Sequence, residues 1–392
     1  MSLSTARRPD PAAILGCAAL ILVGWSGLLV PSLIRSIEPA FSQTDGGVGV
    51  WFFVNAVAYV CGSMTGGLLT ERVGRRVVLS VAAGFIAFGL VCLATVPSWA
   101  FFLAGAIPFG LGSGAIDGGT NGLILDMYPD SRGRSLNLLH LFFSLGALAS
   151  PLVIGRVVEA GATWQAVMLG TAVVALPIGV LLAVADLPSG RHERATGSPR
   201  IRIGIALPLV ALAAAIAFYV GSEVGVSNWL VRYLGSATLT LATSTLALFW
   251  GCLALGRLVS ARLGDRFDHA RFAATAALVA SVALVAAVLV PSLPGSIVLF
   301  GVVGFAFGPI YPLIMAVAGD RYPARSAAVS GFLSGTAVFG AIVYPPVMGF
   351  ISLGPGLGVA IIGAAGLALL CGLVLVAVAR LPASSGGAES PA

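Results

Sequence analysis

The chain has 392 residues, of which 58% are hydrophobic and only 9% charged, with a formal net charge of +6 and a mean hydropathy of +1.03. Soluble domains carry about a quarter charged residues, so this composition excludes an aqueous fold and makes lipid the solvent. All 21 basic residues are arginine, and the five cysteines (Cys17, Cys61, Cys92, Cys252, Cys371) lie in apolar runs, as small hydrophobes rather than a disulfide or metal framework.

At the N-terminus, Arg7 and Arg8 precede an apolar run that is too long for a cleaved signal peptide and lacks a small-residue cleavage site. A membrane-spanning helix needs roughly 20 mainly apolar residues. Windows of that size predict twelve spans, at about 12–35, 47–70, 77–96, 99–126, 135–158, 164–185, 204–231, 239–261, 271–291, 295–318, 327–351 and 357–379. The polar stretch "DLPSGRHERATGSPRIRI" at 186–203 reads as a cytoplasmic linker between two six-span bundles, 1–185 and 204–392, the second ending in a short cytoplasmic tail. With both termini cytoplasmic, 18 arginines fall inside and only Arg35, Arg156 and Arg232 outside, as the positive-inside rule requires. Topology and anionic lipid thus account for the excess charge, and no nucleic-acid partner is expected.

An offset of 194 residues superimposes the two halves. Asp126-Met-Tyr128-Pro129 matches Asp320-Arg-Tyr322-Pro323, and Gly146, Pro151 and Gly155 match Gly340, Pro345 and Gly349. Gly110 and Gly114 likewise match Gly304 and Gly308. Six spans separate the copies, so they share an orientation. The fold class expected is therefore an all-α membrane protein of twelve helices, built as two parallel-repeat six-helix bundles.

Between spans two and three, "GLLTERVGRRVVL" runs from Gly67 to Leu79. It resembles the loop signature of the major facilitator superfamily, G-x-L-x-D-R-x-G-R-R/K-x-x-L, with Glu71 in place of the aspartate. The resemblance implies a cytoplasmic gate built from Gly67, Glu71, Arg72, Gly74, Arg75 and Arg76, in which Gly67 would let helix two approach a neighbour closely. A weaker second copy has Gly256, Arg257, Leu258, Arg262 and Gly264. Within the superfamily the chain resembles the fucose permease group of sugar–proton symporters: an acid four residues before an asparagine in span four (Asp117, Asn121), "LNLLHLFFSLGALASPL" in span five and "FYVGSEVGVSNWLVRYL" in span seven. Its first span has Trp25 and Ser26 where that group carries an acid.

Only Asp117 and Glu223, of fifteen acidic residues, fall well inside spans. An acid at a helix centre costs about 2.5–3.5 kcal/mol on insertion scales, and such residues mark ion and substrate paths. No arginine lies deep in a span, so neither acid has an evident buried cation. Both are expected to couple transport to protons, the proton serving as coupling ion with no cofactor and no metal. Asp117 shares a helix face with Asn121, and Tyr219 with Glu223 and Ser227. Spans one, four, seven and ten line the cavity in this superfamily, which implies a solute site of Trp25, Asn121, Asn228, Trp229 and Tyr311, with a tryptophan as stacking wall. His140 is a possible proton relay or a packed residue. Asn55 and Tyr59 share a face of span two and are read as packing, Trp51 and Trp164 as interfacial anchors.

The expected function is proton-coupled import of a small polar solute such as a monosaccharide, by alternating access, in a monomer of the bacterial plasma (inner) membrane. The alternative is proton-driven export of a drug or metabolite, which the Gly-Pro pattern of span five also fits. An enzyme is not expected, because three histidines and no clustered cysteines offer little to build a nucleophile–base pair or metal site.

Overall fold

A computed structural model describes residues 10–129, 132–189 and 207–381. Most of the linker (190–203) and the C-terminal tail from 382 lie outside the described residues. Fourteen α-helices occur among the described residues. They are α1 (Pro11–Gly27), α2 (Leu29–Ala40), α3 (Asp45–Val73), α4 (Arg75–Thr95), α5 (Trp99–Met127), α6 (Arg132–Glu159) and α7 (Trp164–Val184). The second half adds α8 (Leu207–Tyr233), α9 (Leu239–Leu263), α10 (His269–Leu289), α11 (Leu293–Phe307), α12 (Ile310–Arg321), α13 (Ser326–Ser352) and α14 (Leu357–Arg380). These helices make twelve spans long and apolar enough to cross a bilayer, because α1 with α2 and α11 with α12 each form one.

Short polar caps set the ends. Asp10 accepts from the Ala12 amide at 2.8 Å, Asp268 from Arg271 at 2.8 Å and Thr163 from Ala166 at 3.2 Å, each supplying an acceptor for a helix-terminal N–H. Gly74, at φ 91°, ends α3 and starts α4 in a conformation that a side chain would strain. The two broken spans have local causes. Pro31 follows the first break by three residues, and Gly308-Pro309 forms the second; proline has no N–H to continue the ladder. Trp25 and Tyr311 lie beside these breaks.

The chain divides into two compact units, Met1–Thr196 with Leu234–Ala247, and Gly197–Tyr233 with Leu248–Ala392. The early part of α9 therefore belongs with the first unit. Arg35 donates to the carbonyls of Ala237 (2.9 Å) and Gly235 (3.0 Å), and the Thr240 amide donates to Glu159 Oε1 (2.8 Å).

Glycines hold each unit together, and they do so at repeat-equivalent places. In the first unit, a Cβ on Gly62, Gly110 or Gly114 would collide with the carbonyl of Leu111, Asn55 or Tyr59, closing α3 onto α5. In the second, Gly256, Gly304 and Gly308 stand in the same relation to Phe305, Phe249 and Leu253, closing α9 onto α11. Each of these six carbonyl partners is also related to its counterpart by 194. Gly146 against Ile21 and Gly340 against Ala217 make the corresponding α1–α6 and α8–α13 crossings. Between helices in lipid no water is released, so close backbone approach and dispersion contacts supply the association. Gly67 is a correction to the sequence reading: a Cβ there would meet nothing within 4 Å. The close approach expected of it belongs to Gly62 and Gly66 on another face of α3.

Valine at Gly62 or Gly256 is expected to overpack its seam at a cost of about 1–3 kcal/mol or more. Thermal unfolding of the detergent-solubilised protein should fall by several degrees for either, and stay unchanged for Gly67→Val. Equal losses at all three positions would show that the seams are not what these glycines serve.

Candidate functional site

The first unit places three polar side chains around one carboxyl group. Asp117 is partly buried on α5; Asn121 Nδ2 donates to its Oδ1 at 3.3 Å, one helical turn away. Tyr59 on α3 hydrogen-bonds the same carboxyl. The glycine seam makes this possible, since Gly114 lies directly on the Tyr59 carbonyl. Reading Tyr59 as packing is therefore corrected: its hydroxyl is a ligand of Asp117. Asn121 Oδ1 is buried with no hydrogen-bond partner in the protein, as is Asn55 Oδ1. An unsatisfied buried acceptor costs roughly 1–3 kcal/mol, and an O–H donor from a solute would offset that cost.

The second unit holds the other acid. Glu223, 7% exposed on α8, accepts from the hydroxyl of Tyr219, which is 1% exposed one turn earlier. Arg257 on α9 hydrogen-bonds Tyr219 and acts on the charge of Glu223. The expectation that Glu223 lacks a cationic neighbour is thus overturned. Arg257 reaches it because helix side chains tilt toward their own N-terminus, so those on antiparallel helices converge. Phe307 packs edge-on against the Tyr219 ring at 5.7 Å.

The remaining predicted residues are placed as follows. Trp25 is partly buried and donates Nε1 to Thr171 Oγ1 at 3.1 Å. Asn228 is partly buried. Trp229 is 0% exposed and donates Nε1 to the Pro345 carbonyl at 2.8 Å, so it presents no ring face to a solute and acts as a brace between α8 and α13. Tyr311 shares a hydrogen bond with Ser334 at 3.1 Å. His140 is partly buried on α6, its carbonyl accepting from Ser144 at 3.1 Å. Trp51 and Trp164 are 2% and 8% exposed and join Phe41, Trp99 and Phe102 in an aromatic cluster, which corrects their reading as interfacial anchors. A cavity of about 410 Å³ in the first unit is lined mainly by aliphatic side chains, among them Ile14, Ile21, Leu138 and Leu139, and does not include Asp117.

The gate residues divide sharply. Glu71, Arg72 and Arg76 are exposed, and Arg76 stands 3.6 Å from Asp186. Arg75 has a side chain 4% exposed; it pairs with Asp126 at 2.7 Å and donates to the Pro188 carbonyl at 3.2 Å. The repeat-equivalent pair in the second unit is His269 with Asp320, at 2.9 Å and with side chains 23% and 68% exposed. Arg321, beside Asp320, donates to the carbonyls of Val378 and Leu381 at the end of α14. Both units thus clasp the same helix ends, one with a permanent buried cation and one with an exposed imidazole.

Breaking the buried clasp leaves Arg75 uncompensated, at a cost of about 2–5 kcal/mol, whereas an exposed pair contributes about 0–1 kcal/mol. Asp126→Asn is therefore expected to lower the unfolding temperature by several degrees and Asp320→Asn hardly at all. Equal sensitivity of the two variants would contradict this ordering.

The model of the Major Facilitator Superfamily matches residues 14–249 and 204–392. A proposed glucose/galactose transporter of Helicobacter pylori is 24% identical, across 86% of this chain and 87% of its own. A gentisate transporter of Corynebacterium glutamicum is 26% identical, across 93% and 88%. The crystal structure of a bacterial homolog to the human lysosomal transporter Spinster superimposes with a TM-score of 0.81 at 14% identity, across 95% and 98%, a likeness of fold alone. The chain is a membrane transporter and belongs to the major facilitator superfamily.

Proposed function

We propose that this transporter imports a small polyhydroxylated solute of the monosaccharide class together with a proton, by alternating access. The observation that carries this reading is the Asp117 carboxyl, bound by Tyr59 and Asn121 beside the unpartnered Asn121 Oδ1. A carboxyl in a span can exist charged while its donors hold it, or neutral after taking a proton. The bare amide oxygen beside it matches the hydroxyl of a sugar. The name of the Helicobacter pylori relative points to sugars; the name of the Corynebacterium glutamicum relative points to a different small solute.

In this reading Asp117 takes the proton, the neutral carrier closes and reopens, and solute and proton leave on the other side. The arginine-rich helix ends, with Arg72, Arg75 and Arg76, face the cytoplasm of a bacterial inner membrane, as do both termini, and the carrier works as a monomer. Moving one proton charge through 100 mV supplies about 2.3 kcal/mol, close to fiftyfold accumulation of a neutral solute. Export of an amphipathic compound is the second reading, favoured by the aliphatic cavity beside α1, α5 and α6.

The purified protein in vesicles with an imposed pH gradient, inside alkaline, is expected to accumulate labelled monosaccharide and to lose it on adding an uncoupler. Asp117→Asn should abolish accumulation while preserving solute exchange between equal-pH compartments. Full concentrative uptake by Asp117→Asn at neutral pH would remove Asp117 from coupling. Proton-dependent extrusion of a lipophilic cation, with no sugar uptake, would establish export instead.

A further inference from the structure

The pair formed by Glu223 and Arg257 has no place in a carrier for neutral sugars alone. A solute without charge needs no guanidinium, and a buried ion pair is a poor source of stability, since well-packed apolar residues often serve as well. We infer that Arg257 is a receptor for the carboxylate of the solute, and that Glu223 occupies it until a proton releases it. The inference rests on the proton-coupled reading above and narrows its solute to a small hydroxylated monocarboxylate.

Three features carry it. Glu223 and Tyr219 are 7% and 1% exposed, so the acid is not a solvated surface group. Arg257 bonds Tyr219 and acts on Glu223, so the three form one network on α8 and α9. A guanidinium keeps its charge at any physiological pH and offers a planar fork suited to a carboxylate. When Glu223 takes a proton, Arg257 is therefore left as a cation whose partner has become neutral. An anion arriving with the proton restores the balance.

No other group near Glu223 is free to answer in its place. Among the elements packed on α8, α13 brings Tyr344, whose hydroxyl donates to the Ala360 carbonyl at 2.7 Å. The α12 helix brings Tyr311, bonded to Ser334, with Asp320 and Arg321 held by His269 and by the Val378 carbonyl. The α14 helix carries only Cys371 and, at its last position, Arg380. On α8 itself Arg232 lies nine residues beyond Glu223, roughly 13 Å along the axis, and on α9 Arg262 lies in the last turn.

Proton and carboxylate thus bind cooperatively: the proton goes to Glu223, the carboxylate to Arg257, and each makes room for the other. The carboxylate affinity should rise by up to tenfold for each unit by which the pH falls while Glu223 is being titrated.

The test uses the full-length protein in detergent with D-glucuronate and D-glucose, which differ by one carboxylate. Binding of labelled D-glucuronate is expected to be at least about tenfold tighter at pH 5.5 than at pH 7.5, with one proton taken up per molecule bound in weakly buffered solution. Glu223→Gln should bind glucuronate tightly at both pH values and take up no proton, a gain that misfolding cannot imitate. Arg257→Gln should lose glucuronate binding at least tenfold, and Arg257→Lys should recover part of it. Glucuronate binding that ignores pH, or that survives Arg257→Gln unchanged, overturns the inference. Glucose accumulation driven by the pH gradient with no glucuronate binding would overturn it and leave the coupled-import reading standing. Glucuronate binding with the predicted proton uptake but no uptake into vesicles would do the reverse.

Discussion

Hydrocarbon cannot solvate a polar group, and that constraint orders this molecule. Backbone N–H and C=O groups must be paired within their own helices, and any side chain that carries charge must bring its partners with it. The twelve spans answer the first demand. Two clusters answer the second: Tyr59 and Asn121 around Asp117, and Tyr219 and Arg257 around Glu223. A carboxyl kept in lipid at such cost, with donors arranged on it, is a group whose change of charge can be coupled to movement.

The glycine seams are what bring those donors within reach. Where α3 and α5 touch along Gly62, Gly110 and Gly114, their axes come closer than side chains would allow, and a tyrosine on one helix can bond a carboxyl on the other. Much of this was legible in the sequence. The 194-residue offset already paired Gly110 with Gly304 and Gly114 with Gly308, and these residues prove to seal equivalent crossings. Gly67 misled because a loop signature locates a motif along the chain but says nothing about which face of the helix meets a neighbour. Gly62 and Gly66, one turn apart, carried the facial information that Gly67 lacked.

The candidate site was legible only where it was local. Asp117 and Asn121 lie four residues apart, so helix geometry alone put them on one face, and they share a hydrogen bond. Tyr59 needed the register of α3 against α5, which nothing in a single helix encodes. Arg257 was missed for a different reason: it sits near the end of its span, and its depth along the chain hid the reach of a long side chain tilted toward the middle. Trp51, Trp164 and Trp229 failed as ligands or anchors because indole is equally suited to an interface, a stacking wall and a core. Only their burial, at 2%, 8% and 0% exposure, separates these roles.

The two halves repeat their backbone but not their chemistry. Counterparts at an offset of 194 include Asp117 with Tyr311, Tyr219 with Trp25, Glu223 with Leu29, Arg257 with Ser63 and Arg75 with His269. Small residues at helix crossings cannot diverge, because a single added methyl group meets a carbonyl oxygen in either copy. Polar residues are under no such restraint, since each needs only its own partners. A duplicated scaffold is therefore free to give its halves different tasks, one with an acid held by neutral donors and one with an acid held against a cation. A neutral donor holds a carboxylate loosely enough for a proton to replace it, whereas a guanidinium must be offered a second anion before its acid can be neutralised. That asymmetry, absent from the glycines and written in five substituted positions, is where the specificity of this carrier resides.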